Sequence, residues 1–225
     1  MFKILICILI SYLLGNISGA IIFGKILFNK DIRKYGSKNA GTTNALRVFG
    51  LKVGILTFLI DFFKAILACF FGFLLLGVNG VYLSAIFVVL GHNFPIFLNF
   101  KGGKGIACSF GFIVFFDYKL AFITLLFFIL IVFFTRYISL ASMLSTIFAI
   151  CLTFIFGYRS IYLFLTLFLL SILSIYRHKE NIIRLINKKE NKISLKNRKK
   201  AWFIFKNIII YYVAYKKYNN ILNYV

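Results

Sequence analysis

The chain has 225 residues, of which 62% are hydrophobic and 20% aromatic, with a single proline and a mean hydropathy of +0.95. A water-soluble globule could not hide so much apolar surface, so a soluble fold is excluded and lipid is the expected solvent. The net charge of +22, from 27 Lys and Arg against 5 acids, would suit nucleic acid in a soluble protein. Here the cations lie mostly between or after apolar stretches, which points instead to anionic lipid and phosphorylated molecules.

The first apolar stretch, Ile4 to Phe28, is long enough to span and lacks a small-residue cleavage site, so a retained helix is expected rather than a secretory signal. Gly15 and Gly19, four residues apart, leave room for a second helix to approach closely. Spans follow from hydropathy over residues 4–26, 53–76, 80–98, 105–117, 119–135, 138–157 and 160–176, about seven in all. The expected fold is therefore all-α: a polytopic membrane helix bundle. Breaks fall in the polar run Asn29–Lys52, at Gly77–Gly80, around Lys101–Gly105, at Asp117–Lys119, at Thr135–Tyr137 and at Gly157–Ser160. With the N-terminus outside, 23 of the 27 cations lie on the inner side, and the positive-inside rule puts the C-terminus in the cytoplasm. Cys7, Cys69, Cys108 and Cys151 stand singly in apolar segments and are expected to act as small packing residues.

The chemistry lies in the breaks. Residues 35–50, YGSKNAGTTNALRVFG, gather Ser37, Asn39, Gly41, Thr42, Thr43 and Asn44 ahead of Arg47, a mixture able to fold over an anion and clamp it with a guanidinium. Residues 91–109, GHNFPIFLNFKGGKGIACS, are more informative. Gly102, Gly103 and Gly105 free the backbone to present N–H groups just before a helix begins, and Lys101 and Lys104 flank the place where an anion would sit. A nucleotide P-loop is excluded, because no glycine stands five residues before Gly103 and Gly105, not Ser or Thr, follows Lys104. Pro95 breaks the helix end beside His92 and implies a cavity there, since free carbonyls at membrane depth need protein or water partners.

Asp61 and Lys64 lie three apart on one face of the second span, where a lone charge is costly, so an internal ion pair is expected; a proton relay is the sharper alternative. Ser139 and Ser142 are likewise three apart near the inner end of the sixth span and could pack helices or bind an anion. Residues 176–193, YRHKENIIRLINKKENKI, set His178, Asn181 and Leu185 along one helical face and include Glu180 and Glu190. They form a polar, basic helix against the membrane mouth.

Taken together, SKNAGTTNALR, GHNFPIFLNFKGGKGIA and RHKENIIRLINKKENKI resemble the three signature motifs of the bacterial acyl-phosphate:glycerol-3-phosphate acyltransferase family. Asp61 with Lys64, and TRYISLAS at 135–142, are similar to its second and sixth spans. The resemblance covers residues 1–192 as a membrane acyltransferase domain. It departs where the family usually has Gly and Pro and this chain has Lys38 and Ala40, and where the family has Gly and this chain has Lys188. Residues 193–225 fall outside it as a basic, aromatic tail, expected to lie at the membrane interface.

The resemblance implies an enzyme that moves a fatty acyl group from acyl phosphate to the 1-hydroxyl of glycerol 3-phosphate, giving lysophosphatidic acid and phosphate, without a covalent acyl-enzyme. It implies the bacterial plasma membrane, a site at the cytoplasmic face, and a functional link to an enzyme that produces acyl phosphate. Matching positions gives substrate-phosphate roles to Arg47, Lys104, Ser142 and Asn181. Ser37, Asn39, Lys101, Gly102, Gly103 and Ser139 shape the pocket, and Asp61, Lys64 and Glu190 are structural. The hydroxyl proton would pass to His92, to His178 or to a phosphate oxygen. No cofactor is expected, and no metal, because the 5 acids are scattered. A transporter for a phosphorylated solute would use the same basic cavity but needs openings on both sides, and the outer loops here are short and nearly uncharged. A phosphotransferase acting on lipid pyrophosphate would need clustered Asp residues for Mg²⁺, which this chain lacks.

Overall fold

The computed structural model describes residues 1–193, and Met1–Glu190 form one compact unit. Apart from Ile193, the expected interfacial tail at 193–225 lies outside the described residues. Ten α-helices carry the unit: α1 Phe2–Asn16, α2 Gly19–Phe28, α3 Thr42–Phe49, α4 Leu51–Leu76, α5 Val78–Asn93, α6 Ile106–Phe116, α7 Tyr118–Thr135, α8 Ile138–Ile155, α9 Ile161–Arg177 and α10 Lys179–Ile186. Among the described residues, five segments are long and apolar enough to cross a bilayer, and α9 with α10, bent by 60°, makes a sixth. The expected span at 105–117 appears as the 11-residue α6, about 16 Å long, roughly half a hydrocarbon core.

Helix boundaries follow local chemistry. Asp117 caps α7 by accepting the N–H groups of Lys119 (2.6 Å) and Leu120 (3.0 Å), and Ser160 caps α9 by accepting from Leu163 at 3.3 Å. Two features depart from the sequence reading. The first span breaks into α1 and α2 at Ile17, whose extended backbone (φ −66°, ψ 121°) frees carbonyls within the membrane segment. The run Asn29–Lys52, expected as loop, contains α3, because Gly41 starts a short helix that packs against α4.

Small residues set the helix spacing. A Cβ on Gly15 would meet Gly91 Cα at 2.9 Å, so α1 lies directly on α5. Gly72 and Gly80 likewise bring α4 onto α5, each backbone occupying the place of the other's missing side chain. Around these contacts Ala65, Ala68, Cys69, Ala85, Val88, Cys108, Phe112 and Leu120 form the buried core. Cys7, Cys69 and Cys108 are buried there as expected, whereas Cys151 faces outward. Phe63, Leu74 and Phe154 also point outward, as suits a lipid-facing surface.

Alternation of the long helices places residues 29–50, 94–105, 136–137 and 178–190 at one end of the bundle and Gly77, Asp117 and 156–160 at the other. Side-chain bonds support that division: Tyr158 OH donates to Asp117, and Tyr82 OH lies 3.2 Å from Ser160 Oγ. At the opposite end Arg33 is held by Asp31 through Nε and Nη2 (3.1 and 2.7 Å) and donates from Nη1 to Leu98 O at 2.8 Å. That fork ties the loop after α2 to the loop after α5.

Candidate active site

The loop between α5 and α6 folds its last residues, Gly102, Gly103 and Gly105, into the bundle. His92, at the end of α5, is level with Lys64 of α4, and Lys64 lies about 20 Å along α4 from its start at Leu51. The short α6 begins at this inner end of the loop, where Gly102, Gly103 and Gly105 are buried while Ile96, Phe97, Phe100 and Lys101 are exposed. Irregular backbone at such depth must be satisfied internally. Gly102 N–H donates to Asn93 O (3.3 Å) and Gly103 N–H to His92 O (3.0 Å), completing the end of α5. Their carbonyls accept from Arg177, Nη2 to Gly102 O at 3.1 Å and Nε to Gly103 O at 3.0 Å, while Phe94 stacks on the guanidinium.

The sequence expectation is corrected here. The amides of Gly102 and Gly103 are taken by α5, so these glycines build the turn and do not offer its donors. The N–H groups of Lys104, Gly105, Ile106 and Ala107 have no acceptor among the described residues, and they form the open start of α6. Gly105 supplies the left-handed bend (φ +81°) that aims this start. The donors left for a ligand therefore lie just after the glycine pair, at the N-terminus of α6 beside Lys104, where a helix start favours negative charge.

Lys104 Nζ donates to Asn181 Oδ1 of α10. Burial pushes the Lys104 ammonium down to about 8, although the nearby Glu190 carboxylate works against that shift. Asn181 Nδ2 donates to Glu190 Oε1 at 2.8 Å, Ser139 Oγ of α8 donates to the same oxygen at 3.1 Å, and Arg184 Nε donates to Glu190 Oε2 at 2.8 Å. Burial alone would raise the Glu190 carboxyl, but the bonds from Arg184 and Asn181 outweigh it and hold the group below the usual range. Glu190 thus joins α8 to α10 and turns the Asn181 amide toward Lys104. His178 sits at the α9–α10 bend with Nδ1 2.8 Å from Ser174 O. A carbonyl only accepts, so Nδ1 carries the proton and the neutral ring keeps its lone pair on Nε2.

Asp61 and Lys64 form the expected ion pair at 2.8 Å, both buried. Lys64 also reaches Gly15 O (3.0 Å), Ile17 O and His92 Nδ1 (2.9 Å), so the carbonyls freed by the break in the first span receive an ammonium. Asp61, His92 and Cys108 present ligand atoms within 4.8 Å of one another. The donor set does not fit a metal ion, because the Lys64 ammonium already stands among these atoms and would repel a second cation.

The remaining predicted residues are placed unequally. Ser142 is buried and its Oγ donates to Ile138 O at 2.9 Å; Lys101 and Arg47 are exposed. No hydrogen bond joins Ser37, Asn39 or Arg47 to Lys104 or Asn181 among the described residues. Their loop is organised by Asn44, whose Oδ1 accepts the Ser37 N–H (2.9 Å) and whose Nδ2 donates to the carbonyls of Tyr35 and Asn39 (3.0 Å each). Lys38 and Lys188 adopt φ +58° and +55°, left-handed conformations that suit the glycines of the resembled family better than a lysine. Arg177 is the site residue the sequence reading missed. It looked like one more juxtamembrane cation, and the only signal was its place immediately before His178.

These features define an integral membrane helix bundle in which Lys104, Asn181 and Glu190 are joined beside the start of α6. A family model described as "Glycerol-3-phosphate acyltransferase" matches residues 5–188. The chain belongs to that family. It is 46% identical over 179 residues to the glycerol-3-phosphate acyltransferase of Finegoldia magna (80% of this chain, 90% of that one). It is 41% identical over 186 residues to the enzyme of the same name from Bacillus subtilis (82% and 95%). A crystal structure of PlsY (YgiH), an integral membrane glycerol 3-phosphate acyltransferase in its glycerol 3-phosphate form, superposes with TM-score 0.80 at 34% identity, covering 85% of this chain and 96% of that one. The lysophosphatidic acid form of PlsY gives TM-score 0.79 at 32% identity, with 87% and 97% coverage. The protein is therefore an integral membrane enzyme that acylates glycerol 3-phosphate.

Proposed function

We propose that the acyl donor is acyl phosphate and that the products are lysophosphatidic acid and inorganic phosphate. Acyl phosphate is a mixed anhydride, already activated, so no protein nucleophile is needed. The hydroxyl oxygen of glycerol 3-phosphate bonds to the acyl carbon, the acyl–phosphate oxygen bond breaks, and phosphate leaves with the electron pair. What the protein supplies is two anionic groups held at reacting distance and screened from each other. The observation that carries this reading is Lys104, half-buried, bonded to Asn181 and standing at the open amides of α6. Arg47, Ser142, Ser37, Asn39, Lys101 and Ser139 complete the phosphate contacts when the substrates bind, and the exposed Arg47 serves as a closing clamp. The hydroxyl proton passes to His178 Nε2 or to a phosphate oxygen of the reactant. The acyl chain lies among the Phe-rich outer surfaces. The site faces the cytoplasm of a bacterial plasma membrane, with the N-terminus outside, and the donor comes from an acyl-phosphate-producing enzyme.

The test uses purified protein in detergent with glycerol 3-phosphate and either acyl phosphate or acyl-CoA, reading released phosphate and the lipid product. Turnover with acyl phosphate supports the assignment. Turnover with acyl-CoA and none with acyl phosphate overturns it.

A further inference from the structure

Lys64, Asp61 and His92 make no hydrogen bond to Lys104 among the described residues, and all three are buried. An ammonium has three protons to place. Here it faces Gly15 O and Ile17 O of the broken first span, Asp61 Oδ1 on its own helix and His92 Nδ1 on α5. One side chain thus fixes α1, α4 and α5 together, and one edge of the imidazole is pinned as part of that node; His92 Nδ1 also lies 3.4 Å from Asp61 Oδ1.

The other edge of the ring lies against Gly103. A Cβ on Gly103 would fall on the imidazole, 2.7 Å from Cε1 and 3.0 Å from Cδ2, and no atom outside the ring is as near. Arg177 in turn holds the Gly102 and Gly103 carbonyls. The backbone immediately before Lys104 is therefore held by both an imidazole and a guanidinium. A shift of a few tenths of an ångström in Gly103 moves both the Lys104 N–H and the origin of its side chain.

We propose that Lys64, Asp61 and His92 are positioning residues for the acyl transfer, acting through contact of the His92 ring with Gly103 to set where Lys104 and the start of α6 meet the substrate phosphate. The proposal rests on the function proposed above and assigns His92 to placement, not to proton transfer. It differs from a purely structural ion pair in requiring that the shape of the ring matter to Gly103 specifically.

The experiment is a suppressor test on full-length protein in detergent, with wild-type turnover as the reference. Gly103→Ala should lower kcat by about 100-fold, because its methyl group meets the ring. His92→Ala should cost about tenfold, and the double variant His92→Ala/Gly103→Ala should recover at least tenfold over Gly103→Ala, since the methyl then fills the vacated space. Gly102→Ala is the control: its methyl would meet Pro95 Cδ at 2.6 Å and Asn93 O at 3.0 Å, which removal of the His92 ring does not relieve, so His92→Ala should give no rescue. The pair Asp61→Leu/Lys64→Met removes both charges together, leaving no lone ion, and should lower kcat more than it raises KM for glycerol 3-phosphate while the thermal transition stays cooperative. Absence of rescue at Gly103, equal rescue at Gly102, or unchanged kcat in the Asp61/Lys64 pair would each overturn the proposal. A wild-type protein inactive with acyl phosphate would instead overturn the donor assignment.

Discussion

Lys104 gives the sharpest expectation, because its environment fixes both the position and the sign of a pH effect. Burial brings its ammonium down to about 8 in the free protein, so the charged form dominates below that pH and is lost above it. A group titrating at about 8 is roughly nine-tenths charged at pH 7 and roughly one-tenth charged at pH 9. If that charge is required for the phosphate, kcat/KM for glycerol 3-phosphate should fall about tenfold over that range and about tenfold per unit beyond it. The substrates confound the measurement little above pH 7, since the second ionisation of a phosphate monoester, at about 6, is by then about nine-tenths complete. The assay is phosphate release at limiting glycerol 3-phosphate across pH 6.5 to 9.5, with uncatalysed anhydride hydrolysis subtracted. Lys104→Arg keeps its charge throughout and should show a lower but flat alkaline limb. A wild-type profile that stays level to pH 9.5, or a Lys104→Arg profile bending at the same pH as wild type, would refute the role given to this ammonium.

Lys104→Ala and Arg47→Ala should each abolish acyl transfer while leaving the protein in the membrane fraction, and Arg47→Lys should also fail because an ammonium cannot make the two-pronged contact of a guanidinium. Full activity in any of these would remove the residue from the site. Glu190→Ala should raise KM for glycerol 3-phosphate tenfold or more, by releasing Asn181, Ser139 and Arg184 together; an unchanged KM would show that Asn181 needs no such support. Lys188→Gly should stabilise the protein by about 1 kcal/mol, since a lysine at φ +55° carries a steric penalty that glycine does not. Thermal unfolding in detergent measures it, and a lower transition temperature would count against the strain.

The sequence alone settled the solvent, the helical class and the positions of the long spans, because hydropathy over some twenty residues is a local quantity that bilayer thickness turns directly into spans. It also marked the Asp61–Lys64 pair, since two charges on one face of an apolar helix have few partners other than each other. What it could not supply were facts that exist only between segments. The break at Ile17 is stabilised by Lys64, 47 residues away in sequence. The amides of Gly102 and Gly103 are engaged by α5 carbonyls, which leaves the start of α6, and not the glycine pair, with the unpaired donors. Arg177 and Glu190 acquire their roles from the carbonyls and side chains that packing brings beside them. A motif names donors and acceptors. Which of these are already satisfied, and which remain for a ligand, depends on the neighbours that helix packing supplies.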